Sequence, residues 1–418
     1  MIAYTLFELE NGLRVVHRHD TRTAMAVVDV LYDVGSRDED PAHTGMAHLF
    51  EHLMFGGSAN EPDFNGALER AGGVNNAWTS PDFTNFYELL PAQNIETALR
   101  VESDRMLALS FRPEVLEVQR SVVIEEFKET VLNRPYGRAM HELRDMLYKP
   151  GHPYSWPVIG LEPAHIERVT DADVRAWFYS HYAPNNAVLA VVGNVGPERV
   201  RELVEKWFGD IPRRAVPERT IPADAYHTAR DTGMWREIDD RVPSPLVLLA
   251  WPMAPYGAEG YTEADIITDI LSAGRASRLR RNVMARHPEL MAEADASIIG
   301  SEHDGMLLMD CRVVDNSRES IVRARECLLS EAFALTVPAN ITRHELDRAI
   351  NRFEARQAVE ELSAVEMARR LATAEIHGEN LDDELVRRRK VTIESVAETA
   401  RKIFLRSDGA TLIIKPES

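Results

Sequence analysis

Residues 47–57, AHLFEHLMFGG, set His48 and His52 four apart, with Glu51 just before the second, inside an otherwise apolar run. Each of these side chains is costly to bury alone, so the stretch asks for a shared partner. On a helix of ~3.6 residues per turn, side chains four apart stand one above the other, and both imidazoles can reach one ion with Glu51 beside them. Neutral imidazole is a good zinc ligand, and a catalytic zinc site uses three protein ligands while keeping a fourth position for water. Zinc lowers the pKa of that water, and a neighbouring carboxylate, here Glu51, accepts its proton during attack on a carbonyl carbon. The order His-x-x-Glu-His inverts the commoner His-Glu-x-x-His, and both place the histidines four apart. The competing reading is an ordinary core helix whose histidines are hydrogen-bonded.

A third ligand has to come from elsewhere. The segment RPEVLEVQRSVVIEEFKETVL (112–132) reads as a helix with Pro113 in its first turn. Glu125, Glu126 and Glu129 compete there. At ~100° per residue, Val115, Leu116, Val122, Val123 and Phe127 form the apolar side and Glu126 falls among them. Glu125 falls with Glu114, Ser121 and Lys128 on the polar side, and Glu129 lies nearer that side. An acid on the core side needs a cation, which makes Glu126 the candidate ligand. The alternative is an ion pair with an arginine such as Arg120 or Arg100.

These residues must be positioned by a folded scaffold. Met46, Leu49, Phe50, Leu53 and Met54 recur at helical spacing between Thr44 and Phe55, and Gly56-Gly57 supplies a stop, so the histidines belong on a helix. Apolar runs such as AVVDVLYDV (26–34) and PLVLLAWPM (245–253) read as strands. RVTDADVRAWFYSHY (168–182) and the following APNNAVLAVVGNV have a counterpart near the chain's end, KVTIESVAETARKIF (390–404) followed by LRSDGATLIIKPE. Thr170 and Thr392 are 222 residues apart, as are Tyr182 and Phe404. Each threonine is a candidate N-cap. This predicts a duplication: residues 1–212 as a metal-binding domain, 213–233 as a charged, proline-containing linker, and 234–418 as a related domain without the metal motif. The expected class is α+β, each domain a mainly antiparallel sheet with helices packed on one face. HRHD (17–20) is expected to follow a strand and turn in solvent, without a metal role.

The pattern His48-x-x-Glu51-His52 with Glu126 74 residues further on resembles the pitrilysin/insulinase family of zinc peptidases. GGVNNAWTSPDFTNFYE (72–88) is similar to that family's Asn-Ala-(aromatic)-Thr strand, and HPYSWPVIG (152–160) to its His-Pro-Tyr segment. The resemblance implies half of a clamshell that closes around an unfolded peptide, a Zn2+ held by His48, His52 and Glu126, and Glu51 as general base. It also implies a strand at Asn76 and Ala77 that holds substrate by main-chain pairing. In two places the chain departs from the pattern. Gln119 stands where relatives often carry a second glutamate. The C-terminal half has arginines, including Arg278 and Arg286, but no tyrosine after Tyr261, so it lacks the Arg/Tyr pair that steadies substrate and oxyanion in active relatives. The expectation is therefore the metal-bearing subunit of a heterodimer with a paralogue that lacks zinc and supplies that pair, with a homodimer as competitor. The other function class left open is a non-catalytic peptide-binding or scaffold subunit.

Composition bounds the rest. A formal net charge of −19 argues against a nucleic-acid-binding surface, which needs clustered Lys and Arg, so no nucleic-acid partner is expected. No apolar run reaches the ~18 residues of a membrane span. Two cysteines, Cys311 and Cys327, are too few for a disulfide framework. Together with a start lacking a basic-then-apolar leader, this predicts a cytoplasmic protein.

Overall fold

The computed structural model describes residues 3–222, 225–226, 234–406 and 409–417. One sheet contains β1 (Thr5–Glu8), β2 (Arg14–His19), β3 (Met25–Tyr32), β4 (Val74–Thr79), β5 (Thr84–Pro91) and β6 (Ala187–Gly193). The other contains β7 (Met234–Asp240), β8 (Leu246–Pro252), β9 (Met291–Gly300), β10 (Gly305–Val313) and β11 (Ala410–Pro416). The helices of the first half of the sequence are α1 (Met46–Leu53), α2 (Phe64–Arg70), α3 (Ile95–Leu107), α4 (Pro113–Phe127), α5 (Ala139–Leu147), α6 (Pro163–Glu167), α7 (Asp171–His181) and α8 (Pro197–Phe208). Those of the second half are α9 (Tyr261–Ser272), α10 (Arg318–Ala334), α11 (Arg343–Glu360), α12 (Ala364–His377), α13 (Asp383–Lys390) and α14 (Ile393–Phe404).

The strand orders are β1-β2-β6-β3-β5-β4 and β7-β11-β8-β10-β9. In the first sheet β2 and β6 run parallel and every other pair is antiparallel; in the second the parallel pair is β7 and β11. Apart from β1, each strand of the first sheet thus has a counterpart at the same position and in the same direction in the second. The helix–turn–strand units read as repeats occupy equivalent places: α7 leads to β6 and α14 to β11. Thr170 and Thr392 both cap, accepting from the amides of Asp173 and Ser395. Glycine marks the repeat too, because α1 and α9 each begin after a left-handed glycine, Gly45 at φ 90° and Gly260 at φ 92°.

The central strands β3 and β6 are apolar at almost every position, the pattern of strands buried on both faces. One face of the first sheet meets α1, α3, α7 and α8 in a core that includes Val28, Val30, Phe50, Leu99, Phe178 and Leu203. The opposite face, with Val27, Leu31, Val188 and Val192, is covered by Met367 and Leu371 of α12. The second sheet packs α9, α10 and α14 on one face, and Leu143 and Leu147 of α5 meet Leu248, Leu412 and Ile414 on the other. Most helices do lie on one face, as expected, but each sheet carries a further helix behind it.

That arrangement makes the two compact units discontinuous in sequence. One comprises the chain up to Phe127, Pro157–Thr220 and Gln357–Asp383; the other comprises Lys128–Trp156, Ile221–Arg356 and the chain from Glu384 on. A cut at 213–233 separates the repeats but does not follow these units, because α5 and α12 each serve the sheet of the other repeat. Of the segment read as a linker, residues 223–224 and 227–233 lie outside the described residues. Its first part is fastened to the first unit: Arg214 donates to the carbonyls of Tyr182, Met106 and Leu107, and Arg219 pairs with Asp38 at 2.6 Å. The expectation for HRHD is also corrected. β2 continues through His19, and His17 is buried with Nε2 3.0 Å from the Val195 carbonyl oxygen, because β6 extends the sheet alongside β2.

Candidate metal centre

The metal-motif helix α1 is anchored before it presents any chemistry. Gly45 precedes it in a conformation that disfavours other residues, and a Cβ there would lie 2.8 Å from the Ile159 carbonyl oxygen. The buried Glu39 carboxylate accepts from the amides of Gly45 (2.9 Å) and Ala47 (2.8 Å), placing negative charge at the positive end of the helix. Met46, Leu49, Phe50 and Leu53 are buried, with the Phe50 ring 4.5 Å from that of Tyr182. This leaves His48, Glu51 and His52 on the other side.

The two imidazoles are 4.8 Å apart, centroid to centroid. Across from them, α4 brings in Glu126, whose Oε2 lies 3.2 Å from His48 Nε2 and 3.5 Å from His52 Nε2. Tetrahedral zinc with bonds of ~2.0–2.1 Å spaces its donor atoms ~3.3 Å apart, close to the two distances from Glu126 to the imidazoles. His48, His52 and Glu126 are the group of potential metal donors found among the described residues, with ligand atoms all within 4.8 Å of one another. The arginines weighed as alternatives engage other acids: Arg100 pairs with Glu61 and Arg120 with Glu117. Leu116, Val123 and Phe127 are buried, whereas Val122 is 43% exposed, so Glu126 stands on a flank that faces α1 and not at the centre of the buried side.

Electrostatics at the trio follow from two acids beside two imidazoles. Burial disfavours charge on His48, but the Glu126 and Glu51 carboxylates outweigh it and push its pKa up to about 9. The His48 hydrogen bond holds Glu126 below the usual carboxylate range despite partial burial. Burial and the neighbouring His48 lower His52, whose ring also has the Gln119 side chain within hydrogen-bonding reach. Gln119, the residue that departs from the family's pattern, thus stands beside a candidate ligand. Such a set, two imidazoles and a carboxylate with a proton to displace, has the donor chemistry of a zinc site.

Glu51 lies beside the trio, its Oε2 3.8 Å from His48 Nδ1 and 2.5 Å from Thr79 Oγ1. Thr79 ends β4, the strand at the edge of the first sheet. Asn76 and Ala77 are on the same strand. Asn76 is exposed, and its Oδ1 accepts from the Ala77 amide at 2.8 Å. Trp78 packs on the sheet's other face against the α12 cluster. Sequence reasoning missed Glu39 and the role of Thr79. Glu39 lies too far ahead of α1 to match a contiguous capping motif, and Thr79 meets Glu51 only through the packing of a hairpin on a helix.

In the second unit, the helix that corresponds to α1 carries no histidine. Arg278, just beyond it, is buried and donates to the Glu345 carboxylate at 2.8 Å and to the Asn340 carbonyl at 2.6 Å.

Comparison with known proteins places both parts of the chain in one family. Residues 14–151 match the family described as Insulinase (Peptidase family M16), and residues 168–353 match the family's description Peptidase M16 inactive domain. The zinc protease PqqE of Helicobacter pylori is 30% identical over 281 residues, which is 66% of this chain and 62% of that protein. The mitochondrial-processing peptidase subunit beta of Caenorhabditis elegans is 28% identical over 217 residues, 51% of this chain and 46% of that protein. The crystal structure of a protease from Helicobacter pylori superposes with a TM-score of 0.89 at 25% identity, with 100% of both chains covered. With both halves matched and the fold shared over its whole length, the chain belongs to the insulinase family of peptidases, family M16.

Proposed function

We propose that the chain is the metal-bearing subunit of a zinc peptidase that hydrolyses extended or unfolded polypeptides. The observation that carries this reading is the meeting of His48, His52 and Glu126 within 4.8 Å, with the Glu51 carboxylate alongside. His48, His52 and Glu126 would hold the zinc, whose chemistry when bound would be to acidify a water and polarise a peptide carbonyl. Glu51 accepts the proton of the attacking water and returns it to the leaving amine. The edge of β4 at Asn76 and Ala77 holds the peptide main chain in an added strand, a mode that reads backbone more than side chains. Gln119 orients His52.

The oxyanion side is supplied by a second subunit. Arg278 is committed to Glu345, and Tyr261, the last tyrosine, is packed against the second core. That the C. elegans relative is named as a subunit supports a paired arrangement. The partner is a paralogue carrying an Arg/Tyr pair; a second copy of this chain is the competitor.

The test is metal analysis with a peptidase assay on wild type and Glu51→Gln, each with co-purifying partner. Zinc near one equivalent in both, with hydrolysis only in the wild type, supports the proposal. Failure of the wild type to retain zinc after zinc-supplemented growth overturns it. Zinc binding and peptide binding without turnover in the complete complex would favour the scaffold reading.

A further inference from the structure

The hydroxyl of Thr79 donates to Glu51 Oε2 at 2.5 Å, whereas the nearest nitrogen of His48 is 3.8 Å from the same oxygen. A glutamate's terminal torsion is broad, so a carboxylate beside an ion takes a defined orientation only when a donor selects one. The Thr79 hydroxyl engages one of the two oxygens, Oε2.

The donor itself is held firmly. Immediately after Thr79 the hairpin closes with Ser80 N donating to the Phe83 carbonyl (2.8 Å) and Phe83 N to Ser80 Oγ (2.9 Å). Asp82 in this turn pairs with Arg37 at 2.7 Å, both side chains buried, and Arg37 N donates to the Pro81 carbonyl at 2.9 Å. Gly35 passes so close to Pro81 and Ser80 that a Cβ would collide with their backbone. Alternation along β4 puts Ala77 and Thr79 on one face of the sheet. Ala77 packs into the core cluster that contains α1, which is the side on which Glu51 sits.

We propose that Thr79 is a positioning residue: its hydroxyl aims Glu51 and ties it to the strand that carries the peptide, so that main chain docked on β4 and the proton acceptor share one rigid frame. This rests on the peptidase reading above. It adds a coupling between substrate edge and base that the zinc trio does not require.

The discriminating pair is Thr79→Val, which keeps shape and removes the donor, and Thr79→Ser, which keeps the donor. In the zinc-loaded protein with its co-purifying partner, the valine variant should retain wild-type zinc and melting temperature. Its kcat should fall about 10-fold or more while KM stays within about 2-fold, and serine should restore kcat to within about 3-fold of wild type. A second readout needs no turnover. Binding of a peptide hydroxamate, whose acidic OH hands its proton to the base, should weaken about 10-fold in Thr79→Val but not when the same change is made in a Glu51→Gln background. Unchanged kcat and hydroxamate affinity in Thr79→Val overturn the proposal, as does equal loss in the valine and serine variants with a lowered melting temperature. A wild type without zinc or hydrolysis overturns the peptidase reading and this inference together. A hydrolytic wild type with an equally hydrolytic Thr79→Val overturns this inference alone.

Discussion

Glu126 shows what a single residue contributes at this site. Its Oε2 faces both imidazole Nε2 atoms, so Glu126→Gln keeps the shape, removes the charge, and should cut zinc affinity sharply, by about 100-fold or more; competition with a chelating dye measures it. Gln119 acts at one remove. Gln119→Leu removes the amide beside His52 and should weaken zinc binding by about 10-fold, within the range for residues that orient ligands. Unchanged affinity would mean that the contact is incidental. The candidate ligands were legible from sequence because helix periodicity alone brings His48 and His52 together and turns Glu126 off the polar side of α4. Thr79 and Glu39 were not legible. A hydroxyl and a carboxylate acquire those roles from a hairpin and a loop brought against α1, and no local period encodes that.

At the scale of elements, the carboxylate that caps α1 can be tested on its own. Glu39→Gln loses one acceptor for the Gly45 and Ala47 amides and the charge that complements the helix end, which should cost about 1–2 kcal/mol and lower the melting temperature. Zinc affinity should fall with it, since the same helix holds both histidines. The central strand β3 contains an acid, Asp29, that is fully buried. Burial pushes its pKa up to about 7, against the partial relief of a hydrogen bond from Asn85. The unfolded chain has the ordinary value near ~4, so the folded state binds the extra proton between the two values. Stability from this group is full below pH ~4 and is lost as pH rises through 7. Asp29→Asn should therefore melt like the wild type near pH 4 and at higher temperature than the wild type at pH 8, the gap reflecting on the order of a few kcal/mol. Thermal scans across that range check it. The strands and both capped helices of the repeat were readable from apolar runs and threonine caps. Which sheet α12 would cover was not, because an amphipathic pattern specifies a buried face but not its partner.

For the whole molecule, the second half is a copy of the fold with its chemistry left out: no histidine on the helix matching α1, and Arg278 engaged by Glu345. The purified chain alone should accordingly hydrolyse unfolded polypeptide at a few per cent or less of the rate of the complete pair, measured by adding a separately purified partner. Full activity of the chain as a homo-oligomer would favour the competitor. The placement of α5 and α12 bears on any attempt to divide the gene at the apparent linker. A fragment ending at 212 would keep His48, His52 and Glu126 yet leave Val27, Leu31, Val188 and Val192 bare to water, while the complementary piece would lack Leu143 and Leu147. Neither product would be a miniature enzyme. Each would be sticky and poorly folded by itself, and solubility should return when both are made in the same cell and can reassemble.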